Sequence, residues 1–264
     1  MKRLRSEARF LLALWTANLQ AAMEYRTAFL TLVFGMILNN GAYFLFWVVF
    51  FDRFKELRGW DLNDILVLFG VAAAGFGLSV FLFGNMTNLA EIIAKGQLDY
   101  YLSFPRPVLI HTLASRSVAS GLGDFTYGII SFVAAGQFSL ESIARFFIGV
   151  VLAMIVFVSF MVIVHSLSFY IGNAAMLSQQ LLNAMITFAL YPINLFEGSA
   201  KMILFLLIPA AFIGSVPAEY ISNATWSSLL QLLAAACILL CLALVIFRLG
   251  LRRYESGSAI QIQI

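Results

Sequence analysis

Asn85 to Ser117 reads NMTNLAEIIAKGQLDYYLSFPRPVLIHTLASRS, the longest polar interruption in a chain otherwise made of apolar runs. It carries Glu91, Lys95, Asp99, Arg106 and Arg116. Within it Leu89, Ile92, Ile93, Leu98 and Leu102 alternate with Glu91, Lys95 and Asp99 at helical spacing. That pattern predicts a short amphipathic helix over 89–102, too charged to cross a bilayer. Phe104, Pro105, Arg106 and Pro107 end it, because a residue before proline is pushed out of the helical region. The chain must then turn and re-enter the apolar phase. A proline-bounded polar segment kept outside a membrane is a place to meet a partner, and it separates the apolar runs on either side into distinct spans.

Composition supports a membrane setting for everything around it. The 264 residues are 62% hydrophobic and 11% charged, with a mean hydropathy of +0.95. Soluble domains run near 45–50% apolar and 25% charged, so this is one integral membrane domain with no stretch polar and long enough to form a soluble one. A net charge of +3 is too small to argue for nucleic acid, and the basic residues cluster beside apolar runs. Cys237 and Cys241 lie four apart in an apolar run, sharing a helix face, and read as ordinary thiols. The basic start MKRLRSEARF lacks the apolar core and small-residue cleavage site of a signal peptide.

From Lys2 to Thr27 the polar residues Lys2, Arg5, Arg9, Thr16, Gln20, Glu24 and Thr27 recur at helical steps, opposite Leu4, Ala8, Leu11, Trp15, Leu19 and Ala22. A basic amphipathic helix with a tryptophan on its apolar side suits the headgroup plane, so residues 1–27 are expected to lie there. Six spans follow, at 28–51, 65–85, 112–135, 146–170, 176–196 and 226–248, with 86–108 as the polar segment. The first, about 24 residues or roughly 36 Å as a helix, is long enough for a core of about 30 Å. Asn39 and Asn40 fall near its middle, where amides bond to a neighbouring helix or line a substrate path. The second is rich in small residues, Gly70, Ala74, Gly75 and Gly77, which let backbones approach closely and place it centrally in the bundle.

Two titratable residues fall at membrane depth. Asp124 in the third span is either functional or paired with Arg116 or another helix, and His165 reads as a hydrogen-bonded interface residue or a proton carrier. An ion- or proton-coupled carrier using Asp124 and His165 is the rival reading they allow. The run MILFLLIPAAFIG after Lys201, with Pro209 inside and Pro217 closing it, is too short to span, so 201–217 is expected to be re-entrant or interfacial. The tail ESGSAIQIQI reads as disordered. With the N-terminus inside, eleven basic residues fall on the cytoplasmic side against five outside, which puts both termini and the 85–117 segment in the cytoplasm.

Recognisable catalytic chemistry is missing from the sequence. It has no phosphate loop of the G-x-x-x-x-G-K-[ST] kind, no H-E-x-x-H and no Cys/His cluster at metal spacing. A chain of this kind that performs energy-driven work takes the energy from a partner or an ion gradient.

The amphipathic N-terminal helix, the six spans, EIIAKGQLDYYLSFPRP between spans two and three, the pair Tyr191-Pro192, the stretch IPAAFIGSVP and the ending LGLRRYESGS together resemble the ABC-2 type exporter permeases, in the short bacterial branch without a large extracellular domain. The resemblance implies an all-α membrane subunit with an N-terminal elbow helix, a cytoplasmic coupling helix and a re-entrant external element before the last span. It implies a chain that binds no cofactor and is not itself an enzyme, two copies of a separate ATPase subunit that hold ATP and Mg, and a second permease, identical or related, in a bacterial plasma membrane. By position, Glu91, Lys95, Gln97, Asp99, Tyr100 and Arg106 become the ATPase-facing candidates, the alternative being charges that are merely solvated or meet lipid headgroups. Spans one, two and five line the pathway in such proteins, which points to Asn39, Asn40 and Gly75, with Asp124 as a further pathway or interface candidate. The apolar, aromatic character of these spans implies a lipid-like or amphipathic substrate.

Overall fold

The computed structural model describes the backbone of residues 2–254 and the side chains of residues 5–254. The expected disordered tail at 255–264 lies outside the described residues. Among them the regular structure is helical, apart from one isolated bridge between Leu57 and Trp60.

Helix α1 (Lys2–Met23) touches the rest of the chain along one stripe: Glu7, Leu11, Trp15, Asn18 and Ala22, at steps of three and four, are partly buried, whereas Arg5, Arg9, Leu12, Thr16 and Gln20 are exposed. After a bend at Glu24 and Tyr25 comes α2 (Arg26–Arg53), on which Trp47 and Phe51 alone are fully buried. Helix α3 (Leu62–Leu82) opens on a reciprocal capping box, in which the Asp61 carboxylate accepts from the Asp64 amide and the Asp64 carboxylate from the Asp61 amide. The segment between spans then gives a 3-10 turn at Gly84–Thr87 and three short helices, α4 (Leu89–Ala94), α5 (Leu98–Leu102) and α6 (Val108–Ala114). Helices α7 (Ser120–Ala134), α8 (Leu140–His165), α9 (Ser168–Ile171) and α10 (Ala175–Ala189) follow, then α11 (Gly198–Leu206), α12 (Ser215–Asn223) and α13 (Trp226–Leu251).

Among the described residues four helical stretches are long and apolar enough to cross a membrane, namely α2, α3, α8 with α9, and α13, and the bent pair α11 and α12 would make a fifth. Helices α7 and α10 have 15 residues each, about 22 Å of helix, short of the ~30 Å hydrocarbon core. The stretch expected to be a single span over 112–135 is thus divided. Its break at 115–119 has a physical cause: the chain pairs there with the end of α3, Gly84 N–H donating to the Arg116 carbonyl (2.9 Å) and Val118 N–H to the Val80 carbonyl (3.1 Å). Carbonyls freed at the end of α6 are taken up by two asparagines. Asn85 Nδ2 donates to Thr112 and Asn18 Nδ2 to Ala114.

Helix α3 is the centre of the bundle, packed on α7, α8, α12 and α2. Its contact with α7 is antiparallel and made through glycines seven apart on both helices. A Cβ on Gly70 would lie 3.0 Å from the Gly128 carbonyl oxygen, and one on Gly77 would lie 2.4 Å from that of Gly121. Backbone lies against backbone, with no room for a side chain between the two helices at these glycines.

The antiparallel crossing also fixes which ends lie together, since the α2–α3 and α7–α8 links fall at the same end of the bundle. Both ends of the bent pair are tied to that end: Glu197 pairs with Arg58 (2.6 Å), and Arg145 Nη1 donates to the Ile221 carbonyl (2.8 Å). Helices α11 and α12 meet at 63° around Pro209. Pro217, expected to close this element, sits instead in the first turn of α12, where its missing N–H costs nothing. Helix α10 stops at Ala189, short of the expected 196, because Tyr191-Pro192 turns the chain and the Ser215 hydroxyl accepts from the Ile193 amide (2.9 Å).

Candidate functional site

Two regions hold the candidate residues singled out from the sequence, the segment between α3 and α7 and a cleft in the bundle. In the first, the helix expected over 89–102 is interrupted. Gly96 at φ +72° takes the left-handed conformation, and a pair of bonds, Gln97 N–H to Ile92 O (3.0 Å) and Gly96 N–H to Ile93 O (3.2 Å), closes α4. The break splits the segment into two short helices that still share a buried apolar side. Leu89, Ala90, Ile92, Ile93 and Leu98 are buried, while Glu91, Lys95, Gln97, Asp99 and Tyr100 are exposed. Lys95 Nζ pairs with Glu91 (2.9 Å) across one turn, and that ammonium holds the Glu91 carboxyl below its usual value.

Arg106 differs from the other five candidates. Its guanidinium pairs with Glu7 of α1 (3.0 Å) and lies 4.2 Å from the centre of the Phe10 ring, so it turns inward and ties α1 to the segment. His111 stacks edge-on against Phe10, Tyr101 and Phe104. Burial pushes its pKa down, and the Arg106 charge adds to that while Glu7 opposes it. Trp15 Nε1 donates to the Leu82 carbonyl (2.7 Å), completing the seam between α1 and the end of α3. From the other side, the Tyr254 hydroxyl lies by Asp99 and is pushed up to about 12, mainly by burial, with the carboxylate adding to it.

His165 is the bolt that holds α4 to the bundle. At the end of α8, its Nδ1 accepts the Ala90 amide N–H (2.9 Å), one of the unpaired donors in the first turn of α4. From sequence His165 reads as an interface residue or a proton carrier, and its target is not legible there, since nothing in the spacing links positions 75 apart. Asp124 is in a different place, hydrogen-bonded to Asn40, so the structure does not bring Asp124 and His165 together as a relay.

Asn40 Nδ2 donates to Asp124 Oδ1 (2.7 Å), joining α2 to α7, and Asp124 Oδ2 is buried without a hydrogen-bond partner. Arg116, the partner considered from sequence, is exposed and not paired with it. The pair lines a cavity of about 370 Å³ between α2, α3, α7 and α10, with Asn39, Tyr43, Trp47, Phe76, Thr187 and Tyr191 around it. Trp47 and Tyr191 meet at a ring-centre distance of 5.7 Å, bridging α2 and the turn after α10. Gly75 does not line this cleft: a Cβ there would lie 3.0 Å from Ala153, so it serves the α3–α8 contact, and α3 contributes Phe69 and Phe76 instead. A larger cavity of about 500 Å³ between α1, α6, α8 and α13 is apolar except for Glu7 and Ser159.

A family model described as ABC-2 family transporter protein matches residues 36–258, from the middle of α2 past the end of α13. The chain belongs to the ABC-2 transporter family. Both regions described above, from Asn39 to Tyr191, fall within the match, whereas α1 precedes it. As a member of this family with several long apolar helices, it is a multi-pass membrane transport protein. No curated protein and no solved structure matches the chain.

Proposed function

We propose that this chain is the permease subunit of an ATP-driven exporter in a bacterial inner membrane. Separate ATPase subunits, two per transporter, bind ATP and Mg and drive it, a second permease completes the pathway, and the chain itself catalyses nothing. The observation that carries this reading is the 89–102 segment: in a member of the ABC-2 family, two short helices bury their apolar side against the bundle and leave Glu91, Lys95, Gln97, Asp99 and Tyr100 outward. An exposed aromatic flanked by charges suits a protein partner better than a membrane surface. Arg106, turned toward α1, acts as the strut that transmits movement of the segment to the elbow helix.

In this reading six passes are made, with α7 and α10 as short passes in a locally thinned bilayer and the bent pair α11–α12 entering and leaving from the external side. Both termini are then cytoplasmic. Closure of the ATPases on nucleotide pushes the two segments of the permease pair together, and the rigid α3–α7 crossing carries that push to the cleft between α2, α3, α7 and α10. A lipid-like or amphipathic substrate fits the cleft, whose walls are aromatic with a few amides. The test is purification of the chain with its native partners from gently solubilised membrane. An ATPase that co-purifies, and ATP-dependent export that needs both, supports the reading, whereas a lone chain that transports without ATP overturns it.

A further inference from the structure

We propose that the cleft between α2, α3, α7 and α10 recognises the cationic, ammonium-type head of an amphipathic substrate, with Asp124 as its counter-charge. This names the substrate class for the exporter reading and rests on that reading for its meaning in transport. The first observation is the half-satisfied carboxyl. Asp124 is 3% exposed, and Asn40 accounts for Oδ1 but leaves Oδ2 without a partner. A carboxylate buried at membrane depth is costly unless a positive charge lies close to it.

The second observation is what lines the cavity beside that carboxyl. No Lys, Arg or His is among the residues lining the cavity, so the described residues supply no cation there. They supply Tyr43, Trp47 and Tyr191, the ring types whose faces attract a desolvated ammonium best. Phe76 and Ile186 continue the wall for an apolar body, and the volume of about 370 Å³ lies in the range of small-ligand sites. An anionic head would meet Asp124 with like charge, and a neutral one would leave that charge uncompensated. The cation alone uses both the carboxylate and the aromatic wall.

The experiment uses the purified full-length chain in dodecyl maltoside, a detergent without an ammonium group. Three diphenylhexatriene probes share one apolar body and differ in the head: trimethylammonium, none, or propionate. Binding is read as saturable energy transfer from tryptophan, Trp47 being in the cleft wall. The trimethylammonium probe is expected to bind at least about tenfold more tightly than the other two, and to be displaced by decyltrimethylammonium but not by decyl sulfate. Asp124→Asn, which keeps the shape, should remove that preference and leave the headless probe unchanged. Should that variant fail to fold, Tyr43→Leu leaves the carboxyl in place and should weaken the cationic probe several-fold more than the headless one. Equal binding of the three probes, or a cation preference that survives these substitutions, overturns the assignment. Recruitment of an ATPase is scored separately: a chain that recruits one yet binds all heads alike refutes the cationic head and leaves the exporter reading standing.

Discussion

Replacing Gly77 with alanine should loosen the bundle at its central crossing. The new Cβ would lie 2.4 Å from the Gly121 carbonyl oxygen, 2.6 Å from the Phe125 nitrogen and 2.8 Å from the Asp124 Cβ. None of these atoms can rotate out of the way, so α3 and α7 must part by roughly an ångström to restore ordinary contact. Overpacking of this kind costs about 1–3 kcal/mol, and alanine returns up to ~1 kcal/mol through its better helix propensity. With the full propensity gain the net loss is about 0–2 kcal/mol, and relative to an alanine that meets no neighbour it is about 1–3 kcal/mol. Gly41→Ala is the matched control, because nothing lies within 4 Å of a Cβ there and only the propensity gain remains. Equilibrium unfolding of the full-length chain in mixed detergent measures both. If Gly77→Ala proves as stable as Gly41→Ala, the backbone-to-backbone crossing is not what holds the bundle together.

Arg106→Gln and Glu7→Gln should each release α1, at about 1–2 kcal/mol, read as faster tryptic cutting near Arg26; a double variant no worse than either single one marks them as one interaction. Gly96→Ala should cost ~1 kcal/mol or more through its left-handed backbone, and an alanine as stable as glycine would refute the cap that ends α4. His111 has a pKa depressed below 6.5, so the neutral ring is the form the fold favours. Its contribution is full above pH 6.5 and is lost as pH falls through the lower folded value. Stability measured from pH 7 downward should therefore drop less in His111→Phe than in the parent, and parallel profiles would contradict this.

The sequence made the helical class and the central place of the second span legible, because apolar runs and small residues act locally on every turn. Gly70 and Gly77 already marked a close approach, although only the structure pairs them with Gly128 and Gly121. Breaks were harder to see. Gly96 sits inside an acceptable amphipathic pattern, and the end of α6 is decided by Asn18 and Asn85, remote in sequence and recognisable only as polar residues in apolar surroundings. The cleft was half legible: Asn40 and Asp124 stand out as polar groups at membrane depth, whereas Gly75 can serve a pathway or a helix interface by its small size, and only the structure sets it against Ala153. Arg106 illustrates the remaining difficulty, since a charge in a polar segment looks outward until Glu7 and Phe10 are placed beside it.

The central claim is that force enters through the exposed side of α4 and α5. Glu91 and Asp99 are exposed, so reversing both to lysine gives up the Glu91–Lys95 pair and the Asp99 contact with Tyr254 at only a small cost to the fold. The decisive measurement is co-purification of the ATPase with the parent chain and with the Glu91→Lys, Asp99→Lys double variant, each checked for unchanged thermal stability. The account predicts an ATPase bound to the parent and lost, together with ATP-dependent export, from the variant. An equally stable variant that keeps its ATPase and exports at the parental rate would contradict it.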